Sequence, residues 1–81
     1  MAEIKMYGTT WCADCNRAKA FMDENGVDYD WTNVDVETEF IDYILEINNG
    51  KRSVPTIVFP DGSVLVEPSN RELADKLAIE I

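Results

Sequence analysis

Residues 4–15 read IKMYGTTWCADC, and this segment carries the strongest indication of the fold. Ile4–Tyr7 is an apolar run typical of a short strand, and Gly8 ends it. A helical pattern begins at Cys12, so Cys12 and Cys15 fall at a strand-to-helix turn with the spacing C-x-x-C. They are the only cysteines in the chain. Two thiols at such a turn are placed for redox exchange rather than for a structural disulfide.

Outward from this stretch, hydrophobic periodicity predicts seven elements in the order β-α-β-α-β-β-α. Pro60–Asp61–Gly62 marks a hairpin between the last two strands. The spacing of Ser69 and Glu72 fits a capping box that starts the last helix. The predicted strands are residues 4–7, 28–35, 56–59 and 63–67, and the predicted helices are residues 12–25, 37–47 and 69 to the end.

These elements predict an α/β fold with a four-stranded mixed sheet and three helices. A right-handed crossover makes the first two strands parallel, and the hairpin adds an antiparallel pair. At 81 residues, the chain is expected to form one domain over residues 1–81, because no linker or internal repeat divides it.

Composition excludes several classes of function. Sixteen acidic residues against seven basic ones give a net charge of −9, which disfavours nucleic acid and anionic membranes as partners. No apolar run approaches the ~20 residues of a membrane span, and the first residues lack the apolar segment of a secretory signal, so we expect a cytoplasmic protein. The absence of histidine excludes Cys-His catalysis, Ser-His triads and imidazole metal ligands.

The two cysteines are predicted to have unequal roles. Cys12 lies at the first turn of a helix, where free backbone N–H groups and the helix dipole favour a thiolate. Cys15 lies on the same face one turn later, close enough to form a disulfide with Cys12. We therefore expect Cys12 to attack and Cys15, the more enclosed thiol, to resolve the mixed disulfide.

Three other interpretations of the pair are weaker. A structural disulfide here closes a very small loop, which constrains the unfolded chain little. A zinc site needs four ligands, and one C-x-x-C without histidine cannot supply them within a monomer. Two cysteines packed in a core seldom both fall at a helix start.

A proline precedes the third strand, in Ser53–Val54–Pro55. X-Pro bonds are cis in only about 5–6% of cases, so the residues alone indicate a turn. A cis bond would direct the Val54 backbone N–H and C=O outward, where an extended peptide could pair with them.

Three motifs occur in order: TTWCADC at residues 9–15, VPTIVFPDG at 54–62 and Pro68–Ser69. With them the chain resembles the glutaredoxin-like branch of the thioredoxin fold, and bacterial mycoredoxins and glutaredoxin-like redoxins in particular. The resemblance implies a thioredoxin fold, a cis Pro55 and a monomeric thiol–disulfide oxidoreductase with Cys12 as nucleophile. It implies no tightly bound cofactor, disulfide-bearing proteins as substrates, and a thiol or a thioredoxin reductase as reductant.

The resemblance also implies a site for a low-molecular-weight thiol between Cys12, Val54–Pro55 and the start of the last helix. A carboxylate of that thiol would rest on the helix N-terminus at Ser69–Asn70. Lys51 and Arg52 either bind a second carboxylate or are solvated charges on a loop. Trp11 either borders the groove or packs beside the sheet.

The chain departs from the common glutaredoxin pattern in two places. Ala13 and Asp14 replace the usual proline and tyrosine, and Glu67–Pro68 replaces a Gly-Gly pair that glutathione binders commonly carry. Glutathione, mycothiol, bacillithiol and direct reduction by a thioredoxin reductase are therefore all open.

The two residues between the cysteines are expected to tune the site. Asp14 should disfavour a neighbouring thiolate by like-charge repulsion, unless it only faces water. Ala13 leads to an alternative function, an iron–sulfur cluster held between two subunits by Cys12 and external thiols.

Overall fold

Seven elements make up the fold in the computed structural model, which describes residues 3–80. They are β1 (Lys5–Gly8), α1 (Ala13–Glu24), β2 (Asp30–Asn33), α2 (Glu39–Ile47), β3 (Thr56–Val58), β4 (Val64–Val66) and α3 (Asn70–Leu77). The predicted order of strands and helices is confirmed.

The strands form a mixed sheet in the order β2-β1-β3-β4. β1 runs parallel to β2, with Met6 opposite Trp31, and antiparallel to β3, with Met6 opposite Ile57. β3 pairs antiparallel with β4. The crossover through α1 and the final hairpin thus give the predicted pairing, and β1 lies inside the sheet with the Cys12 turn directly after it.

Side chains alternate between two hydrophobic clusters, because successive residues of a strand face opposite sides of a sheet. Met6 and Ile57 pack with residues of α1 and α3, including Ala18, Met22 and Leu73. On the other side of the sheet, Tyr7 packs with Val34, which follows β2, and with Ile44 of α2. The sheet is therefore covered by helices on both faces, and α1 is held against it by its buried face.

Most predicted boundaries are wrong by one or two residues, and α3 ends at Leu77 although the prediction extended it to the end of the chain. β2 is limited to Asp30–Asn33 because its partner β1 offers only the residues from Lys5 to Gly8 for pairing. α2 begins at Glu39, two residues later than predicted, because residues 33–37 form a turn in which the Glu37 N–H donates to the Asn33 carbonyl at 2.9 Å.

The hairpin after β3 also shortens its strands. Phe59 leaves the ladder because its N–H and carbonyl bond the turn residues Ser63 and Gly62, both at 2.9 Å. Glu67 leaves β4 with a left-handed backbone, at φ 49°. The capping box at the start of α3 is confirmed, since Ser69 accepts the Glu72 N–H and the Glu72 carboxylate accepts the Ser69 N–H.

Within residues 3–80, each helix falls short of the length and apolar character that crossing a bilayer requires.

Candidate active site

Cys12 occupies the N-cap of α1, with an extended backbone at φ −85° and ψ 118°. Its Sγ accepts the backbone N–H of Cys15 at 3.2 Å. The thiol also points toward the Val54 carbonyl oxygen, 3.8 Å away. The sulfur of Cys12 therefore lies between the helix N-terminus and the loop before β3, where it is partly exposed.

Cys15 lies one helical turn deeper and is completely buried. Both cysteines are free thiols in this structure. The pKa of the Cys15 thiol is raised to about 12, chiefly by burial, then by its hydrogen bond to Cys12, and to a smaller extent by the charges on Cys12 and Asp14. The backbone N–H of Thr9 acts in the opposite direction. The two thiols thus differ sharply in exposure, as the helical spacing predicted.

Gly8 allows Cys15 to pack directly on the end of β1. A Cβ at residue 8 would stand 2.6 Å from the Cys15 Sγ and 2.9 Å from a ring carbon of Trp31. Both distances are far below van der Waals contact, so only glycine fits between the two side chains. From the sequence, Gly8 was expected only to end a strand, because its contact with Trp31 joins residues that are far apart in the chain.

A cavity of about 430 Å³ opens beside Cys12. It brings together six of the residues that the sequence singled out for the site, together with Ser53 and Glu67. The lining residues are Trp11, Cys12, Ala13, Asp14, Arg52, Ser53, Val54 and Glu67. Glu67 was expected only as a departure from a glycine pair, and its place in the cavity wall is new.

Five other predicted site residues lie outside the wall of this cavity: Cys15, Lys51, Pro55, Ser69 and Asn70. Lys51 is exposed on the loop after α2, and Pro55 is buried behind Val54. The Val54–Pro55 peptide bond is cis, as the resemblance implied. Ser69 is engaged in its capping box with Glu72, so its own N–H is already paired. The roles of these residues in binding substrate stay predictions.

Trp11 borders the cavity and does not pack beside the sheet. Its side chain is 74% exposed, and its indole N–H donates to the Asp35 carboxylate at 2.8 Å. The same carboxylate forms an ion pair with Arg52 at 3.4 Å. Asp35 therefore holds two members of the cavity wall together, and Arg52 is not a lone solvated charge.

Arg17 is a residue of the site region that sequence reasoning missed. Its guanidinium donates to the Pro68 carbonyl and the Asn70 side-chain oxygen, both at 2.9 Å, and pairs with Asp14 at 3.4 Å. The i,i+3 spacing of Asp14 and Arg17 could have indicated their ion pair. The link to Asn70 is a tertiary contact across 53 residues, and it occupies the Asn70 side chain at the helix N-terminus where a ligand carboxylate was predicted to rest.

The charge of Asp14 contributes to the raised pKa of the Cys15 thiol, and its predicted tuning of the Cys12 thiolate stays a prediction. Asp14 does not merely face water, since it pairs with Arg17 while remaining about half exposed. Within residues 3–80, His, Cys, Asp and Glu side chains form no group of three or more that could hold a metal ion.

Comparison with known proteins finds relatives over nearly the whole chain. The family model described as Glutaredoxin matches residues 4–65. A Mycobacterium tuberculosis protein that carries the name glutaredoxin is 36% identical over 76 residues, which cover 94% of this chain and 90% of the relative. Mycoredoxin 1 of Corynebacterium glutamicum is 31% identical over 77 residues, 95% of each chain.

A solved structure supports the same relationship. The crystal structure of a glutaredoxin from Archaeoglobus fulgidus matches with a TM-score of 0.80 at 28% sequence identity, covering 95% of this chain and 87% of that one. The predicted glutaredoxin-like form of the thioredoxin fold is thereby confirmed.

Proposed function

The chain belongs to the glutaredoxin family, and on that basis we propose that it is a thiol–disulfide oxidoreductase that works through the Cys12–Cys15 dithiol. One observation carries the proposal. The partly exposed Cys12 sulfur accepts a backbone N–H at the start of α1, while Cys15 lies completely buried one turn away. Such a pair has one thiol for attack on an external disulfide and one that only Cys12 can reach.

In the first step, the Cys12 thiolate attacks one sulfur of a substrate disulfide. A new bond forms between Cys12 Sγ and that sulfur, the substrate S–S bond breaks, and the other sulfur leaves as a thiolate that takes up a proton. Before attack, the negative charge on Cys12 is stabilised by the Cys15 N–H and by the N-terminal end of the α1 dipole. Trp11 and Val54 border the approach to the sulfur.

In the second step, Cys15 loses its proton and attacks Cys12 Sγ. The Cys12–Cys15 disulfide forms and the bound substrate sulfur leaves as a thiol, so the substrate has gained two electrons from the protein. Two causes of the raised Cys15 pKa are its hydrogen bond to Cys12 and the charge on Cys12. Both disappear once Cys12 is in a mixed disulfide, so formation of the mixed disulfide favours the ionisation of Cys15.

The reductant that returns the protein to the dithiol is proposed to be a low-molecular-weight thiol. Thiols of this kind reduce proteins of the glutaredoxin family, and one relative is a mycoredoxin, so mycothiol is the first candidate. Glutathione, bacillithiol and a thioredoxin reductase are the alternatives. The open cavity beside Cys12 offers room for such a thiol, and disulfide-bearing proteins are the proposed substrates.

A reduction assay with fully oxidised protein tests this function. Mycothiol, glutathione, bacillithiol and a thioredoxin reductase are offered separately, and free thiols are counted by alkylation and mass spectrometry. We expect at least one of them to restore two thiols per chain. If none reduces the protein, the proposed function is wrong.

Two variants test whether Cys12 is the attacking thiol and Cys15 the resolving thiol. Cys15→Ser should accumulate a mixed disulfide on Cys12 and fail to release the substrate. Cys12→Ser should form no mixed disulfide with the same substrate. A mixed disulfide on Cys15 in the Cys12→Ser protein would contradict the assigned roles.

A further inference from the structure

The charges in the wall of the Cys12 cavity are not balanced. Asp14 is paired with Arg17 and Arg52 is paired with Asp35, each at 3.4 Å. Glu67 is the third charged residue in the wall. In the part of the chain from residue 3 to residue 80, its carboxylate has neither an ion pair nor a hydrogen bond. The wall therefore presents one uncompensated negative charge in the cavity that Cys12 also lines.

The backbone holds Glu67 at this place in an unfavourable conformation. Its N–H donates to the Pro55 carbonyl at 2.9 Å, which ties it to the loop that faces Cys12. Its φ of 49° lies in the left-handed region, where glycine and asparagine are favoured and other residues are destabilised by roughly 1–2 kcal/mol. The hydrogen bond to Pro55 thus fixes Glu67 in the cavity wall although its side chain is poorly suited to that backbone conformation.

We infer that Glu67 is a specificity-determining residue that selects disulfides with a positive charge close to the sulfur. This inference rests on the proposed oxidoreductase function and adds the class of substrate. The preferred group is an ammonium or guanidinium, such as a lysine or arginine beside a disulfide in a partner protein. The carboxylate attracts such a group to the cavity and repels anionic disulfides, and the net charge of −9 acts in the same direction at longer range.

The chemistry of the selected substrate is the exchange described above. Cys12 forms the mixed disulfide, Cys15 closes the protein disulfide, and the cationic disulfide is reduced to two thiols. The charge of Glu67 changes neither the bonds nor the electrons. It changes the stability of the encounter between Cys12 and the substrate, so its effect belongs in the rate of the first step.

Three small disulfides of matched length separate charge from reactivity: cystamine, bis(2-hydroxyethyl) disulfide and 3,3′-dithiodipropionate, which are cationic, neutral and anionic. Reduced protein is mixed with an excess of each disulfide, samples are quenched by alkylation, and the loss of alkylatable thiols on the protein, read by mass spectrometry, gives the rate. Each rate is divided by that for the neutral disulfide, and then by the same ratio measured with dithiothreitol. The resulting number reports only the charge preference of the protein.

We expect the parent to prefer cystamine over 3,3′-dithiodipropionate, and Glu67→Gln to reduce that preference by about fivefold, the effect of one charge contact near a solvated surface. Added salt should weaken the preference of the parent more than that of the variant. Glu46→Gln, on the exposed side of α2, makes the same change in net charge and should have little effect. Glu67→Gly, which suits the left-handed backbone, should act as Glu67→Gln does.

An unchanged preference in both Glu67 variants, or an equal change in Glu46→Gln, overturns the inference. If the parent reacts with the neutral disulfide but shows no charge preference, the inference is wrong and the proposed function stands. If the reduced parent reacts with none of the three disulfides, the proposed function fails and the inference fails with it.

Discussion

Replacing Gly8 with alanine tests how closely the sheet and the redox pair are packed together. The new Cβ would lie 2.6 Å from the Cys15 sulfur and 2.9 and 3.0 Å from two ring carbons of Trp31. Because optimal contacts between such atoms are about 3.5–4.0 Å, one or both side chains must move by about 1 Å. Overpacking of this kind destabilises a core by about 1–3 kcal/mol.

Backbone preference offsets part of that loss. Gly8 lies in a strand and does not have a positive φ, so alanine there is favoured over glycine by about 0.5–1 kcal/mol. We therefore expect Gly8→Ala to lower the free energy of unfolding by about 1–2 kcal/mol. For a domain of this size the melting temperature should fall by roughly 4–8 °C per kcal/mol. Because Cys15 is the side chain displaced, release of the mixed disulfide should also slow.

The measurements are denaturant unfolding of the reduced protein and the rate at which a Cys12 mixed disulfide is resolved. Gly62→Ala is the matched control, since a Cβ there meets nothing within 4 Å while φ is 86°. That variant should lose stability through backbone strain, by about 1 kcal/mol, with no change in the rate of resolution. A Gly8→Ala protein as stable as the parent, with the same rate of resolution, would show that the contact of residue 8 with Cys15 and Trp31 is not tight.

Four further predictions concern the two residues Cys15 and Asp14, the capping box of α3 and the cluster-binding hypothesis for Ala13. The pKa of Cys15 is raised from 9.0 to about 12 in the folded protein. Above about pH 9 the thiol therefore ionises in the unfolded chain but stays protonated in the folded one, so the reduced protein loses stability as the pH rises toward 12. Reduced parent should therefore lose up to about 1.4 kcal/mol per pH unit more than reduced Cys15→Ser in that window, as measured by denaturant unfolding; parallel curves would contradict this. Asp14→Asn removes a charge that raises the pKa of Cys15, so resolution of the mixed disulfide should become faster at neutral pH, and an unchanged or slower rate would count against the effect. Ser69→Ala removes the capping box of α3 and should lower stability by about 1 kcal/mol in thermal unfolding. Ser63→Ala, at a hairpin turn, is the control and should lose less stability, so equal losses would contradict the prediction. The cluster-binding hypothesis for Ala13 predicts visible absorbance after anaerobic purification, lost in Cys12→Ser; a colourless parent would contradict it.

Much of the fold follows from local patterns along the chain. The apolar run before Gly8, the helical spacing after Cys12 and the capping box at Ser69 each depend on residues within a few positions of one another. The order of strands and helices and the mixed pairing of the sheet could therefore be predicted. The ends of the strands could not, because the length of β2 is set by how many residues its partner β1 offers for pairing.

The candidate active site, like the fold, could be predicted only in part from the sequence. That Cys12 and Cys15 form a dithiol of unequal exposure at a helix N-terminus is already predictable from their spacing, because helical geometry places them one turn apart. What surrounds the two thiols depends on tertiary contacts: Gly8 beneath Cys15, Arg17 bound to the start of α3, and Glu67 in the cavity wall with no ion pair among residues 3–80. These contacts join residues far apart in the chain, and they arise only when the sheet and the helices have packed together.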